Sequence, residues 1–374
     1  MALRLKEVET KRELNQFITY PLKLYKNNPY YVPAMVSDEI NTLSKDKNPA
    51  FAYCEARYWL AYQDGKIVGR IAGIINPKHN QKWNDSHIRF GWLDFEDDPA
   101  ISAALLGAVE DWGRQKGLKA IHGPLGFTDL DREALLIEGF DEVATLATLY
   151  NYPYYPDHLD QLGYEKDTDW VEYELTMPEK LDERIARAAQ IVLKRHNLHL
   201  LEAKTKRDLL PYTTKLFEMI NSEYSHLYGS TPLSPEEIQH YTDAYFGFAH
   251  PDFVPMILNE QNELVAFGVT FPSLSKALQK SGGKLFPFGW ARILHALAHN
   301  DRADLYLVAV RKEYQGMGVN MVLMNQVWEA FLRRGIKKVE TNPELEDNLN
   351  VQSQWKVIEK RQHKRRRCYI KPLK

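Results

Sequence analysis

The chain has 374 residues, enough for two domains of ordinary size. Its composition is that of a globular protein, 44% hydrophobic and 26% charged, with a formal net charge of −2. That balance excludes a general attraction to nucleic acid or to an anionic membrane, so any basic site must be local. The N-terminal run MALRLKEVETKREL lacks the apolar core of a signal peptide. No apolar segment approaches the roughly 20 residues needed to span a bilayer. Two cysteines, Cys54 and Cys368, make neither a disulfide framework nor a zinc site. The expectation is a cytoplasmic protein without a membrane partner.

In chain order, LRLKEV from Leu3 reads as a short strand, and Thr10 with Glu13 has the spacing of a helix-starting capping box. WLAYQDGKIVGRIAGII is strand, polar turn, strand, which is a hairpin by pattern. IRFGWLDFEDD then reads as a strand and PAISAALLGAVEDWGRQKG as a helix capped by Gly117. Farther on, Tyr150, Tyr152, Tyr154 and Tyr155 cluster around two prolines. They either line an acceptor pocket or pack a seam between domains, and the seam is the preferred reading. TMPEKLDERIARAAQIVLKRHN supplies a proline break and a charged helix, which places a boundary near residue 180.

Beyond it the pattern returns. LHLLEAKTKRDL repeats the strand and the capping signal at Thr205 and Asp208, MILNEQNELVAFGVTF repeats the hairpin, and FLRRGIKKVETN repeats the helix end at Gly335. Three matches in one order indicate a duplication. The halves are 1–178 and 198–374, joined by a linker helix in 179–197. The spacing between copies grows across 272–303, which marks an insertion in the second copy. Within it, Gly282-Gly283-Lys284 lacks the rest of a phosphate loop, and His295 with His299 lacks the glutamate and third ligand of a zinc helix. The terminal run KRQHKRRRCYIKPLK reads as a solvated strand or hairpin, with an electrostatic clamp for phosphates as the alternative.

The most informative stretch is LYLVAVRKEYQGMGVNMVLMNQVWEAFLRR, a strand, a glycine turn and an amphipathic helix. Such a turn aims unpaired N–H groups and the positive end of a helix dipole at one point, which is an anion site. Glycines at 316 and 318 let the backbone approach phosphate closely. Neither common nucleotide fingerprint is present, because no Gly-Lys-Ser/Thr follows and Met321 stands where a third glycine would be. On residues alone, a tight turn with nothing bound stays open.

The order strand, helix, hairpin, VAVRKEYQGMGVNMVL, strand and short helix resembles the GNAT acyltransferase superfamily. Its Gln/Arg-x-x-Gly-x-Gly/Ala signature here reads Gln315, Gly316, Met317, Gly318, Val319 and Asn320, with Asn320 departing from the usual Gly or Ala. GPLGFTDLDREALLIEGFD and NYPYYPDHLDQLGY resemble a group of bacterial tandem GNAT-like proteins. The resemblance implies two tandem α/β domains, each a mixed, mostly antiparallel sheet flanked by helices. It further implies that the loop amides grip the pyrophosphate of acetyl-CoA or another acyl-CoA. Val308, Ala309 and Val310 would line the pantetheine arm where the fourth and fifth strands part, and Asn348 would touch the cofactor.

An amine acceptor, with a pKa near about 10.4 for a lysine-like group, needs a base, and the departing thiolate benefits from an acid. Glu340 is the first candidate base and Glu346 the second; Tyr306 and Tyr369 are the candidate acids. Each of these has a plain alternative as a surface or core residue. In the first copy Asp97-Asp98-Pro99-Ala100 replaces the glycine loop, which puts acid and a missing N–H where an anion would sit. The expectation is therefore one cofactor site, in the second copy, serving transfer to a small-molecule or peptide amine. The alternatives are a non-catalytic GNAT-like scaffold and an aminoacyl-tRNA-dependent transferase.

Overall fold

In the computed structural model, which describes residues 3–246 and 249–374, fourteen strands join into one sheet. The first half supplies β1 (Arg4–Glu7), β2 (Glu55–Gln63), β3 (Lys66–Ile75), β4 (His87–Phe95), β5 (Ala120–Gly123), β6 (Leu135–Glu138) and β7 (Glu165–Thr176). The second supplies β8 (His199–Leu200), β9 (Met256–Leu258), β10 (Leu264–Pro272), β11 (Arg302–Val310), β12 (Lys338–Glu340), β13 (Glu344–Leu345) and β14 (Glu359–Pro372). The main order is β1-β2-β3-β4-β5-β14-β7-β12-β11-β10-β9-β8. Among the described pairs, β4 with β5 and β11 with β12 are parallel and the rest antiparallel.

Helices cover both faces, as the alternation of apolar residues demands. On β2, Trp59 and Ala61 face one core with the helix Pro99–Gln115, while Tyr58 and Leu60 face another with Phe17 and Ile18 of the helix Lys11–Leu24. In the second half the helix Val319–Arg334 packs one face and Thr213–Glu223 the other. The capping signals form as the sequence requires. Glu13 accepts the Thr10 N–H at 3.1 Å, and Asp208 accepts that of Thr205 at 2.8 Å.

The last strands are exchanged. β14, from the second half, lies between β5 and β7, and β7, from the first half, lies between β14 and β12. Each half's sheet is thus completed by the other half's final strand. The tail is a strand as expected and is solvated over Glu359–Gln362, while its inner residues are buried between the halves. Lys364 and Arg366 of β14 are fully buried, and both pair with the equally buried Glu172 of β7. Unpaired cations could not be carried to that depth, so the tail's charge is spent on acids of the neighbouring strand.

The 272–303 insertion forms helices Ser275–Ser281 and Gly289–Ala298. Tyr150 packs with Leu274, Ala277, Leu278 and Ile293 from that insertion, while Tyr155 belongs to the first half's own core. The Tyr150 end of the aromatic cluster is therefore a seam. Gly283 is backed against the Ala34 carbonyl, where a Cβ would come within 2.0 Å, and Gly282 ends the helix Ser275–Ser281 in the left-handed conformation, so the pair has structural roles.

Candidate active site

Two departures from regular pairing build the site, and both halves show them. The first is a β-bulge in the fourth strand of each half: Leu307 pairs with Val269 and Leu305 with Thr270, leaving Tyr306 as the extra residue. In the first half the register shifts likewise between Arg70 and Ala72, opposite Trp92, whose φ is 46°. The second departure is a parting of strands. β11 and β12 pair only from Arg302 to Asp304 against Lys338 to Glu340, and Thr341 then donates to Tyr173 of β7 at 2.9 Å. From Leu305 to Val310 that edge of β11 has no strand neighbour among the described residues.

The two partings are closed differently. In the first half, Leu125 donates to the Phe90 carbonyl at 2.8 Å, and a Cβ on Gly91 would lie 2.5 Å from the Leu125 carbonyl oxygen. The chain's own backbone fills the space. In the second half a single hydroxyl spans the exposed backbone: Tyr224 donates to the Val308 carbonyl at 2.9 Å and accepts from the Val308 N–H at 3.2 Å. Burial pushes the Tyr224 hydroxyl up to about 12, so it carries its proton at neutral pH.

At the end of β11, Gly316 and Gly318 have φ of 75° and 83°, the left-handed region glycine tolerates. Gly318 is the N-cap of the helix Val319–Arg334, and no side chain caps that helix. Its first N–H groups, at Val319 and Asn320, lack intrahelical acceptors by geometry. Gln315 braces the turn, with its amide donating to the Val310 carbonyl at 2.9 Å and to Glu223 at 3.2 Å. Met317 is exposed at the tip. A Cβ on Gly318 would sit 3.1 Å from Val192 of the helix Glu183–Arg195, so that helix backs the loop. At the corresponding place in the first half, Asp98 caps its own helix by accepting from Ala100 at 2.8 Å. Pro99 opens that helix, and the Asp97 carboxylate lies 3.0 Å from His158.

Of the candidate acid–base residues, Tyr306 stands at the β11 bulge itself, in the same cluster as Tyr224, and the others fall elsewhere. Glu340 is buried, bonded to the Lys364 ammonium and 2.8 Å from His363 Nε2, within the ion network of the central strands. Glu346 is paired with Lys166 and, at 2.9 Å, with Arg365. Asn348 caps the helix Leu349–Gln352 by accepting from Val351 at 3.3 Å. Tyr306 packs its ring edge-on against Phe271 at 5.4 Å, and Tyr369 is buried in the first half's core. Among the described residues no group of three or more His, Cys, Asp or Glu side chains could hold a metal.

Sequence reasoning missed Tyr224 and Asp129. Nothing in SEYSHLYGST marks Tyr224, because its partner Val308 lies 84 residues away. Asp129, of the first half, accepts from the Thr231 N–H at 3.4 Å. With Tyr224, Ser225, Thr231 and Lys82 it lines a cavity of about 10 Å³ between the halves, space for about one water. Burial raises the Asp129 carboxyl.

A bulged and splayed fourth strand, an uncapped glycine loop and a second copy of the same layout define a tandem GNAT fold. Residues 214–355 match the family model described as the acetyltransferase (GNAT) family. The chain is 29% identical over 370 residues to protein YghO of Escherichia coli, covering 97% of this chain and 94% of that one. It is 26% identical over 381 residues to a bacterial ceramide synthase of Caulobacter vibrioides, covering 98% and 96%. Among solved structures, a tandem GNAT protein from the clavulanic acid biosynthesis pathway superposes with TM-score 0.57 at 11% identity, over 100% of this chain and 99% of that one. A GCN5-related N-acetyltransferase from Sphaerobacter thermophilus gives 0.53 at 10%, over 100% and 96%. Residues 214–355 thus carry a match to the acetyltransferase (GNAT) family, and the chain as a whole has the tandem GNAT fold.

Proposed function

We propose that the chain transfers an acyl group from an acyl-CoA, acetyl-CoA or a longer homologue, to an amine, and holds the donor in its second half alone. The carrying observation is the contrast between the two partings: the first is filled by backbone, the second spanned by one hydroxyl. The division into halves 1–178 and 198–374, with 179–197 as the linker, is part of this reading. Pyrophosphate sits on the N–H groups of residues 316–320, and the pantetheine arm runs along Val308, Ala309 and Val310. Attack by the amine forms a C–N bond and breaks the C–S bond. The amine's proton passes to the Asp129 carboxylate through a water in the cavity between the halves. The departing thiolate takes the proton of Tyr224, which replaces Tyr306 and Tyr369 as the acid.

Similarity to a ceramide synthase along nearly the whole chain supports a fatty-acyl donor and a lipid-borne amine as acceptor. The two cysteines, both free and buried, accord with the cytoplasm. The aminoacyl-tRNA alternative loses its one support, because the basic strand is spent on internal ion pairs.

Titration calorimetry with CoA is expected to give one site per chain, abolished by Met317→Glu and unchanged by Asp97→Ala. Met317 is exposed, so its replacement tests charge alone, whereas Gly318→Glu would also press on Val192. A carboxylate about 4 Å from one phosphate charge at an effective dielectric near 20 costs about 4 kcal/mol, roughly a thousandfold in affinity. Two equivalent sites, or an undiminished affinity in Met317→Glu, refutes the placement.

A further inference from the structure

We infer that the 272–303 insertion docks the protein on an anionic lipid bilayer through the apolar face of its second helix and the turn before it. Phe286, Phe288, Trp290 and Leu294 are 78, 68, 49 and 54% exposed. The other large apolar side chains exposed among the described residues, such as Leu210 and Leu349, are scattered singly over the surface. Here four fall on one short segment, with Trp290 and Leu294 a helical turn apart on the same side.

The opposite side of that helix is anchored. Gly289, Ile293 and Ala296 are buried, and Ile293 and Ala296 pack in one core with Tyr25, Val32 and Met35 of the first half. The preceding turn is pinned where Val36 donates to the Gly283 carbonyl at 2.9 Å and Gln279 donates to the Pro29 carbonyl at 2.7 Å. The Trp290 indole N–H is held by the Pro287 carbonyl at 3.1 Å. The apolar side chains are therefore presented outward by a fixed support.

Charge selects the occupant. From residue 273 to 300 the chain carries Lys276, Lys280, Lys284 and Arg292, all exposed, and no Asp or Glu, although the whole chain has a net charge of −2. A second copy meeting this patch about a two-fold axis would set cation against cation. A bilayer rich in anionic headgroups offers the complement, with Trp and Phe at the boundary between headgroups and acyl chains and the lysines in the headgroup layer. The insertion feeds β11 at Arg302, and the glycine loop follows Val310, eight residues and about 26 Å along the strand. The docked face and the phosphate loop are thus at opposite ends of one strand. A lipid amine could enter from the bilayer while a soluble nucleotide stays in water; that last step rests on the proposed function, and the docking itself does not.

Flotation with phosphatidylcholine vesicles, with and without phosphatidylglycerol, tests the inference on the full chain. The protein is expected to float with the anionic vesicles and to release in high salt. Phe286→Ser with Trp290→Ser, and separately Lys280→Glu with Lys284→Glu, should each lower the bound fraction at least tenfold while the circular dichroism spectrum stays unchanged. Absence of flotation, equal flotation of the double variants, or a wild-type dimer that these substitutions dissociate in light scattering would each overturn it. CoA titration on the same samples separates the two readings. Flotation without CoA binding removes the proposed function and leaves the docking, and CoA binding without flotation does the reverse.

Discussion

Asp304→Asn should stabilise the protein at pH 8 and leave it unchanged near pH 4. Asp304 is buried on β11, and one carboxylate oxygen has no hydrogen-bond partner among the described residues. Burial, then the nearby Glu340 carboxylate, pushes its carboxyl from 3.8 up to about 7, against a weaker opposing pull from Ser273 and Lys364. The folded state therefore holds the proton more tightly than the unfolded chain. The stability this confers is fully present below about pH 4 and is lost as pH rises to about 7. A rise of about 3 pKa units at about 1.4 kcal/mol each makes the anion cost roughly 4 kcal/mol above pH 7, an upper figure because a buried carboxylate relaxes its surroundings. Asparagine keeps the shape and cannot ionise. Urea denaturation at both pH values reads the difference, expected at about 2–4 kcal/mol at pH 8 and near zero at pH 4. A variant less stable at pH 8 would show that the Asp304 anion is needed by Lys364, and the reasoning from burial would fail.

Two further outcomes follow from the same geometry. Lys364→Met leaves Glu172 to Arg366 but removes the ammonium from Glu340 in the interior, and should cost about 3–5 kcal/mol in chemical denaturation; a loss under about 1 kcal/mol would mean that Glu340 is not charged there. Tyr224→Phe removes the hydroxyl from Val308 and should lower kcat about a hundredfold, with the unfolding free energy changed by no more than about 1–2 kcal/mol. An unchanged kcat would make Tyr224 a plug for the gap rather than an acid.

Elements set by neighbouring residues were legible. The two capping pairs, the glycine C-caps at Gly117 and Gly335, the hairpins and the loop at Gly316 and Gly318 each depend on a few adjacent positions, and repeats of those signals exposed the duplication. The strand exchange was not read, because a strand's own alternation says that it pairs and not with what. One signal was present: KRQHKRRR faces EKDTDWVEYE across the sheet, with Asp169 bonded to Arg367 at 2.8 Å and Glu172 to Arg366. Two strands of opposite charge in separate halves are mutual partners on electrostatic grounds alone. Glu340 reads as a candidate base from its place on the fifth strand alone. The sequence gives no measure of how much of that strand the exchanged β7 and β14 would enclose.

The exchange also explains why a first copy without a phosphate loop would be kept. β14 is hydrogen-bonded to β5 and β6 of the first half as well as to β7, so removing either half strips a strand from the middle of the other's sheet rather than from its rim. An edge strand can be lost at modest cost, but here the loss would open Glu172, Lys364 and Arg366, whose charges are tolerable only as a closed set. The same arrangement holds the first half's Asp129 across a one-water cavity from Tyr224 in the second. A base carried on a separate, freely hinged domain would leave that distance to chance. Fused through their central strands, the halves fix it. Under the proposed function, a first copy without a glycine loop is kept as the wall and base of the site in the second.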